Sequence, residues 1–411
     1  METNQRIVEN QMRNINMSYP DLNNDDRSIV QEVLQTPNLS MGKYIGEFEK
    51  VFCDLTGFKH AIGVNSGTSG LHLCVRAMDI QAGDLVITTP FSFVASTNVM
   101  LFEKAIPVFV DVVSETGNMD TTQLAEAADD LVAGGTRAQK WLPRHLPVRG
   151  WDAQGSLKAL LPIDVFGQPA DYDHINPIAD RFGLQVIEDS CEALGAEYKG
   201  RKAGTLGDCG VFAFYPNKQI TTGEGGMIIT NDDYAADLMR ALRNQGRAPG
   251  DTWLDHTYLG YNYRLDEMSA ALGVSQMVRL EKLLTNRQQV ADWYEFYLSD
   301  IDEVEAPKLV ESTSRVSWFV YVVRLSKKID RSHFAEILKT KGIPVRPYFS
   351  PIHLQPFMRE MFGYGEGDYP VTEDLGARSL AVPFSGKMTE DEVAYVCQEI
   401  AKAVNSPDVL H

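Results

Sequence analysis

The sequence FAFYPNKQITTGEGG, residues 212–226, carries more information about the fold than any other stretch of the chain. An apolar strand runs into a turn at Pro216, presents Lys218 and continues into a glycine-rich segment. Glycines let a backbone or a ligand approach closely, because they have no side chain. A lysine in this place can be desolvated, lose its proton near neutral pH and attack a carbonyl carbon to form a Schiff base. The alternative interpretation is a solvated surface lysine with no chemical role.

A second stretch, VIEDSCEALGAEYKG at residues 186–200, is interpreted as a strand that delivers Glu188 and Asp189 to its carboxyl end. Open α/β sheets bind their ligands at that edge. A carboxylate there can hold a proton on a pyridine nitrogen, which is the partner that pyridoxal 5′-phosphate (PLP) requires beside its lysine. The alternative is a helix cap, in which Asp189 satisfies the first amides of the following segment.

A third stretch, VNSGTSGLHL at residues 64–73, predicts a strand, a tight turn and a helix that starts near Ser69. The free amides and the positive dipole end of such a helix bind anions, and Thr68 and Ser69 add hydroxyl donors. An ordinary strand-to-helix turn has the same composition. The stretch is not a Walker A loop, and the first strand is not followed by the glycine pattern of a dinucleotide-binding fold.

Between these stretches, short apolar strands alternate with helices from about residue 60 to residue 230. This alternation is typical of a mostly parallel sheet with helices on both faces. From Asn286 a long helix with one apolar face is expected to bridge to a smaller α+β domain. The predicted strands of the sheet are 60–64, 84–88, 106–111, 159–165, 184–188, 209–215 and 227–230. A short helix is predicted at 47–55, and strands of the small domain are predicted near 316–325 and 343–349.

The chain is therefore divided into an N-terminal arm (1–20), a large α/β domain (21–285) and a small C-terminal α+β domain (286–411). One insert, at about 132–158, reverses the charge of its surroundings and holds one acidic residue, Asp152. The basic residues of this insert are Arg137, Lys140, Arg144, Arg149 and Lys158.

Composition narrows the class of protein. The 411 residues carry 38 Lys and Arg against 56 Asp and Glu, a net charge of −18, which argues against a nucleic-acid-binding protein and against adhesion to an anionic membrane. No apolar run approaches the roughly 20 residues of a membrane helix. Five scattered cysteines without a C-x-x-C pair predict reduced thiols, a cytoplasmic location and no metal site.

Together these stretches place a phosphate turn, a ring-nitrogen carboxylate and a lysine in the order found in PLP enzymes of the aspartate-aminotransferase fold (fold type I). Over about residues 20–405 the chain resembles the DegT/DnrJ/StrS sugar-nucleotide aminotransferases. The resemblance implies a mostly parallel seven-stranded sheet domain with a smaller C-terminal domain. The matching stretches are 42–52, 65–73, 88–96, 166–171, 187–208, 214–226, 243–247 and 259–273.

The resemblance also implies roles for individual residues. Lys218 is similar to the lysine that binds the cofactor and then moves the proton between cofactor and sugar. Asp189 matches the partner of the pyridine nitrogen. Gly67 makes the phosphate turn, and Thr68 and Ser69 match its phosphate ligands.

Phe93 matches the aromatic residue that stacks on the cofactor ring, and Asn262, in GYNYR, matches a residue that reaches the cofactor phosphate of the neighbouring subunit. The protein is therefore expected to be at least a homodimer with composite sites. Three positions depart from the family pattern. Ala213 replaces a phosphate-binding serine, Glu192 stands where a glutamine often lies near the cofactor's 3′-oxygen, and Asp164 replaces a common histidine.

The function implied is transamination of a nucleotide-linked 4-keto-6-deoxy sugar, with L-glutamate as amino donor, as in perosamine synthase-like enzymes that aminate carbon 4. A 3-keto sugar or a cyclitol (inosose) is an alternative substrate. A dehydratase of the same family is disfavoured because those members carry histidine in place of Lys218. A non-catalytic PLP-fold protein that binds a sugar is the alternative from another class.

Four further residues are candidates for the sugar nucleotide. Arg144 and Arg149 of the insert are predicted to pair with its diphosphate at the rim of the site, and a solvated surface hairpin is the alternative. Arg346 and His353, in PVRPYFSPIHLQP, are predicted to reach the sugar, and a structural role is equally open.

Overall fold

The protein folds around two β-sheets of different kinds. Its structure, a computed structural model, describes residues 13–147, 155–252 and 254–409. The strands are β1 (His60–Val64), β2 (Leu85–Thr88), β3 (Ile106–Phe109), β4 (Leu157–Leu160), β5 (Gln185–Asp189), β6 (Glu197–Tyr198), β7 (Arg201–Lys202), β8 (Cys209–Ala213), β9 (Gly226–Thr230), β10 (Val304–Glu305), β11 (Thr313–Arg315), β12 (Tyr321–Leu325), β13 (Arg346–Pro347) and β14 (Ser379–Val382).

The larger sheet has seven strands in the order β1-β9-β8-β5-β4-β2-β3. β9 is antiparallel to both of its neighbours, and the other six strands run in one direction. β2, β3 and β9 are buried along their whole length. Such continuous burial is expected where helices cover both faces of a sheet. The predicted mostly parallel α/β fold is thereby confirmed.

Helices surround both sheets. Ser66 caps the first helix after β1, since its hydroxyl accepts a hydrogen bond from the Ser69 amide at 3.1 Å. The α-helices are α1 (Asn24–Leu34), α2 (Lys43–Thr56), α3 (Gly67–Ala77), α4 (Ala95–Phe102), α5 (Thr121–Ala133), α6 (Gly135–Gln139), α7 (Tyr172–Phe182), α8 (Asp233–Arg243), α9 (Glu267–Val278), α10 (Leu280–Leu298), α11 (Arg331–Thr340), α12 (Pro356–Phe362), α13 (Pro370–Arg378) and α14 (Glu390–Val404).

The smaller sheet has four antiparallel strands in the order β10-β12-β14-β13. It shares an apolar cluster with α10, α11 and α14, which includes Tyr294, Val323, Phe334 and Ile400. A third sheet joins β11 to β6 and β7. The chain segment that leads into β12 is therefore tied to the loops of the larger sheet.

The predicted elements agree with the structure where the local sequence pattern determines them. They differ where a contact with a residue far away in the chain determines where an element begins or ends. The helix predicted at 47–55 begins earlier, at Lys43, because the buried Glu267 carboxylate accepts from the amides of Gly42, Tyr44 and Ile45. The strand expected at 343–349 is limited to Arg346–Pro347.

The long helix begins at Leu280, before the predicted Asn286, and crosses residue 285 without a break. The division of the chain into domains at that residue stays a prediction. In the parts of the chain that the structure describes, we find no helix with the length and apolarity needed to cross a bilayer.

Candidate active site

The strands that precede the phosphate turn, Phe93 and Lys218, and the strand that ends in Asp189, all end at one edge of the larger sheet. Because β1, β2, β4, β5 and β8 are parallel, their carboxyl ends meet there. The phosphate turn follows β1, Phe93 lies beyond β2, Asp189 ends β5 and Lys218 follows β8. Topology thus collects residues that are as much as 150 positions apart in the chain.

Lys218 lies in the connection between the antiparallel strands β8 and β9. The connection is closed at its base by a hydrogen bond from the Phe214 amide to the Gly225 carbonyl at 3.0 Å. The Lys218 amide donates to the Tyr215 carbonyl at 2.9 Å, which makes a tight turn under the side chain. The Lys218 side chain is only 13% exposed, so the interpretation as a solvated surface lysine is wrong.

The Lys218 ammonium faces a carboxylate on one side and an aromatic ring on the other. Its Nζ lies 3.7 Å from Glu192 Oε1 and 4.0 Å from the centre of the Phe319 ring. The other Glu192 oxygen accepts from the Phe166 amide at 2.9 Å. Burial raises the pKa of Glu192, and the neighbouring Lys218 opposes that shift. A titratable pair in a dry pocket is suited to moving a proton.

Asp189 presents a buried negative charge without a cation. Its side chain is 4% exposed, and one oxygen accepts from the Cys191 amide at 3.2 Å. No lysine or arginine forms an ion pair with Asp189 in the described part of the chain. The segment 190–196, all of which is described, contains no helix, so Asp189 caps no helix there, although it does accept from one amide of that segment, that of Cys191. A buried carboxylate in this state suits a positively charged nitrogen of a ligand.

Two further carboxyl groups lie directly behind Asp189. Asp164 and Glu188 are both fully buried and share the Ser190 hydroxyl, which lies 2.5 Å from Asp164 Oδ2 and 3.1 Å from Glu188 Oε1. Burial raises the pKa of Asp164 to about 6, and burial together with the Asp164 charge raises the pKa of Glu188. The pair therefore holds a proton at a pH where an exposed acid would not.

The phosphate turn packs against the ends of β5 and β8. A side chain at Gly67 would come within 2.8 Å of Ala213 Cβ and of Cys191 Sγ, so glycine is required for this close approach. Thr68 is partly exposed at the first turn of α3, where helix amides have no partner in the helix. Ser69 donates its hydroxyl hydrogen to Asn65 Oδ1 at 2.7 Å. The amides and the Thr68 hydroxyl suit an anion even without a serine at position 213.

Two predicted cofactor residues are exposed. Phe93 is 63% exposed and packs on no other aromatic ring within the described residues. The Asn262 side chain is also exposed, while its carbonyl lies 3.4 Å from Asn65 Nδ2 beside the phosphate turn. Both side chains are therefore free to contact a ligand or another protein surface.

Among the sugar candidates, Arg346 is linked to the surroundings of Lys218 through Tyr348. It is exposed and lies close to the Tyr348 hydroxyl. Burial raises the pKa of Tyr348 and the Glu192 carboxylate adds to the shift, whereas Arg346 opposes it. Sequence reasoning missed Tyr348, although it stands two residues after Arg346 in the same quoted stretch.

The side chains of His353 and Arg144 contact residues other than those around Lys218. His353 is fully buried, and its Nε2 lies 3.0 Å from Glu373 Oε1. The Arg144 guanidinium holds Asp368 with two hydrogen bonds of 2.7 and 2.5 Å. Neither of these contacts involves Lys218. The role of His353 and Arg144 in binding substrate stays a prediction. Arg149 lies outside the described residues.

The first part of the basic insert is attached to α5. Lys140 and Arg137 both bind Asp130, at 2.7 and 2.6 Å, and together with Trp141 they lower the pKa of that carboxyl to about 2. These two basic residues already have an acidic partner in the protein.

Sequence reasoning missed four residues that contact the lysine turn or its neighbours. Their partners lie far away in the chain, so no spacing rule connects them. The sequence offers one hint: Arg287 is a polar residue within the apolar face of α10. The four are Gln219, Arg287, Phe319 and Tyr348.

Comparison with known proteins places this site in a family. The family model described as "DegT/DnrJ/EryC1/StrS aminotransferase family" matches residues 20–401. A GDP-perosamine synthase of Caulobacter vibrioides is 37% identical over 382 residues, which cover 92% of this chain and 95% of the relative. A GDP-perosamine synthase of Escherichia coli O157:H7 is 30% identical, with 95% and 98% covered.

Solved structures agree with these relatives. The crystal structure of a DegT DnrJ EryC1 StrS aminotransferase from Brucella abortus superposes with a TM-score of 0.82 at 29% identity, and 93% of this chain and 96% of that one are covered. Helicobacter pylori PseC, an aminotransferase involved in pseudoaminic acid biosynthesis, gives a TM-score of 0.83 at 26% identity, with 95% and 99% covered. The chain therefore belongs to the DegT/DnrJ/EryC1/StrS aminotransferase family, whose members depend on pyridoxal 5′-phosphate.

Proposed function

We propose that this protein transfers an amino group from L-glutamate to the keto carbon of a nucleotide-linked 4-keto-6-deoxy sugar, with PLP as cofactor. One observation carries the proposal: a buried carboxylate without a cation, Asp189, lies at the same sheet edge as a buried lysine, Lys218. The similarity to two GDP-perosamine synthases supports a nucleotide sugar as the amino acceptor.

The residues present fit PLP. Asp189 would hold the protonated ring nitrogen, the Lys218 amine would bind the aldehyde carbon, and the start of α3 with Thr68 and Ser69 would hold the phosphate. Gly67 leaves no room for a side chain because the turn packs against Ala213 and Cys191, and this packing holds the start of α3 at the carboxyl ends of β5 and β8. When bound, PLP supplies a ring that accepts the electron pair released at the carbon of the amino donor.

Lys218 serves as the proton carrier. Its Nζ takes a proton from the carbon of glutamate and later gives one to the carbon of the sugar, so the same atom acts in both half-reactions. Glu192 Oε1 faces this atom at 3.7 Å, and the Phe319 ring excludes water from the other side. The use of one site in two steps predicts ping-pong kinetics.

The site is proposed to be completed by a second copy of the chain. Phe93 and Asn262 are exposed in the single chain, although they match residues that contact the cofactor in the family. A homodimer would cover Phe93 and bring the partner's Asn262 to the phosphate. Isologous dimers with two equivalent sites are the commonest soluble assemblies.

The test is a substrate panel. The purified protein with PLP and L-glutamate is incubated with 4-keto and 3-keto nucleotide sugars, and products are identified by mass spectrometry and NMR. We expect an amino sugar from a 4-keto-6-deoxy substrate, and exclusive reaction of a 3-keto sugar or of an inosose would contradict the proposal.

Lys218→Ala is expected to lower turnover by roughly 10²–10⁴-fold, the range typical of a lost general acid-base group. Lys59→Ala is the matched control, because the Lys59 side chain is exposed and pairs with Asp233. Unchanged turnover in Lys218→Ala would show that the lysine assignment is wrong.

A further inference from the structure

Arg287 is a buried arginine whose guanidinium is held almost entirely by main-chain carbonyls. It lies on α10 and is 5% exposed. One nitrogen, Nη2, donates to the carbonyls of Asn217 and Lys218 at 3.2 and 2.5 Å. The other, Nη1, donates to the carbonyls of Trp318 and Phe319, both at 3.2 Å.

This arrangement leaves a buried charge without an acidic partner. No carboxylate forms an ion pair with Arg287 within the described residues. Burial lowers the pKa of Arg287 to about 10, and the more distant Asp21 opposes the shift, so the guanidinium stays charged at neutral pH. An unpaired buried cation is costly unless its hydrogen bonds are satisfied, and here four carbonyls satisfy them.

The four carbonyls belong to two chain segments that also meet through their side chains. Lys218 and Phe319 are joined through Arg287 by their main chains, and the Lys218 Nζ contacts the Phe319 ring at 4.0 Å. Gln219 makes a parallel link, because its Nε2 donates to the carbonyls of Glu192 at 2.6 Å and of Ser317 at 2.9 Å. The turn that carries the lysine is thus fixed to the segment leading into β12 at two successive residues.

We propose that Arg287 is a positioning residue, which holds the Lys218 main chain against that of Phe319 and thereby sets where the Lys218 Nζ lies relative to Glu192. The proposal rests on the proton-carrying role proposed for Lys218. A planar fork with five donors can bind two pairs of carbonyls at once, whereas the compact ammonium of a lysine cannot. A displacement of about 1 Å in a reacting group can slow a reaction roughly 10²-fold.

The experiment compares three variants of the full-length protein. Arg287→Met removes all donors and keeps much of the side-chain volume, and Arg287→Lys keeps the charge without the fork. Arg331→Met is the matched control, because Arg331 also donates to main-chain carbonyls, those of Gly376 and Ser379, next to β14. Each variant is examined by acylation of lysines in the cofactor-free protein and by the rate of a single half-reaction with glutamate.

In Arg287→Met we expect faster acylation of Lys218, read by peptide mass spectrometry against the exposed Lys59 in the same sample. We also expect a half-reaction slowed by roughly 10²-fold, with the KM for glutamate little changed and a larger isotope effect with α-deuterated glutamate. Arg331→Met should lose thermal stability and keep both wild-type rates. Arg287→Lys should be intermediate.

The proposal would be overturned if acylation of Lys218 and the half-reaction proceeded at wild-type rates in Arg287→Lys. It would also be overturned if Arg331→Met slowed the half-reaction as much as Arg287→Met does. If Arg287→Met does not fold, the comparison of Arg287→Lys with wild type and Arg331→Met decides it. The acylation measurement needs neither cofactor nor sugar. It therefore tests the position of Lys218 whether or not the protein aminates a sugar. A protein that aminates no sugar would contradict the proposed function and leave the proposal about Arg287 standing.

Discussion

The two halves of the site are built differently. The lysine half, formed by Lys218, Glu192 and Phe319, is closed: side-chain exposure is 13% for the lysine and 8% for the glutamate, and Phe319 is 2% exposed. The phosphate half, formed by Thr68, Phe93 and Asn262, is open, with Phe93 63% exposed.

The difference teaches that one chain completes the groups that move a proton and leaves open the groups that would hold the phosphate and the ring face of the cofactor. Desolvation strengthens electrostatic interactions, so the lysine half must be dry within a single chain. The hydroxyls, amides and aromatic ring of the phosphate half bind a ligand by direct contact, and the surface of a second chain can supply part of that contact. The predictions below test this division, from the largest expected effect to the smallest.

After Lys218→Ala, the largest effect is expected for Asp189→Asn, which removes the buried charge beside the lysine half. An ion pair at about 4 Å contributes about 4 kcal/mol at an effective dielectric constant near 20, so turnover should fall by roughly 10²–10³-fold. The measurement is kcat under saturating PLP and glutamate. Asp232→Asn is the control, since Asp232 caps α8 and asparagine caps equally well. A variant within threefold of wild type would contradict the assignment.

The phosphate half is tested by Asn262→Asp, which places a negative charge where the partner's cofactor phosphate is proposed to lie. Loss of a hydrogen bond to a charged group costs about 1.5–3 kcal/mol, so the Kd for PLP should rise by roughly 10–10²-fold. The spectral titration of the cofactor-free protein with PLP measures this change.

Mixing gives a sharper version of the same test. When Asn262→Asp and Lys218→Ala chains are refolded together and assayed at a PLP concentration that fills wild-type sites only, each mixed dimer has one intact site, and a random mixture should recover about a quarter of wild-type activity. No recovery in dimers shown to be mixed would place Asn262 in the site of its own chain.

A smaller effect is expected in the pH dependence of stability. It arises from Asp164, which lies behind Asp189. Asp164 has a pKa raised from 3.8 to about 6 by burial, so its folded form binds the proton more tightly than its unfolded form. The free energy of unfolding should therefore fall as pH rises from about 4 to about 6, by on the order of 3 kcal/mol. Asp164→Asn, which cannot ionise at that position, should show a smaller fall, because the buried Glu188, whose pKa is also raised, remains. Urea unfolding between pH 4 and pH 7.5 measures it, and parallel curves would contradict the raised pKa.

The smallest effect is expected for Arg144→Ala, outside both halves. Its guanidinium is 57% exposed and binds Asp368, so the loss should cost at most about 1 kcal/mol of stability. Because that guanidinium already has a partner, we expect an unchanged KM for the nucleotide sugar. A raised KM for the nucleotide sugar with an unchanged KM for glutamate would instead support the role in substrate binding predicted from the sequence.

Local pattern was enough to predict most of the larger sheet and the residues at its strand ends. Lys218 follows an apolar strand and Asp189 ends one, and parallel strands that share a sheet must end at a common edge. Local pattern could not predict the early start of α2, because its cap, Glu267, is more than 200 residues away in the chain. The same limit applies to Tyr348, which approaches Glu192 through tertiary packing.

The sequence by itself determined the chemistry available to this protein: a lysine and a carboxylate at strand ends, an anion-binding turn, and the family to which these belong. The tertiary structure decided the state of those groups. It removed the water around Lys218, gave Asp189 no cation, made Asp164 and Glu188 share a buried site, and tied the lysine turn to a distant segment through Arg287. The reason is physical, because residue type and spacing act over a few positions, whereas burial and charge depend on every segment that packs nearby.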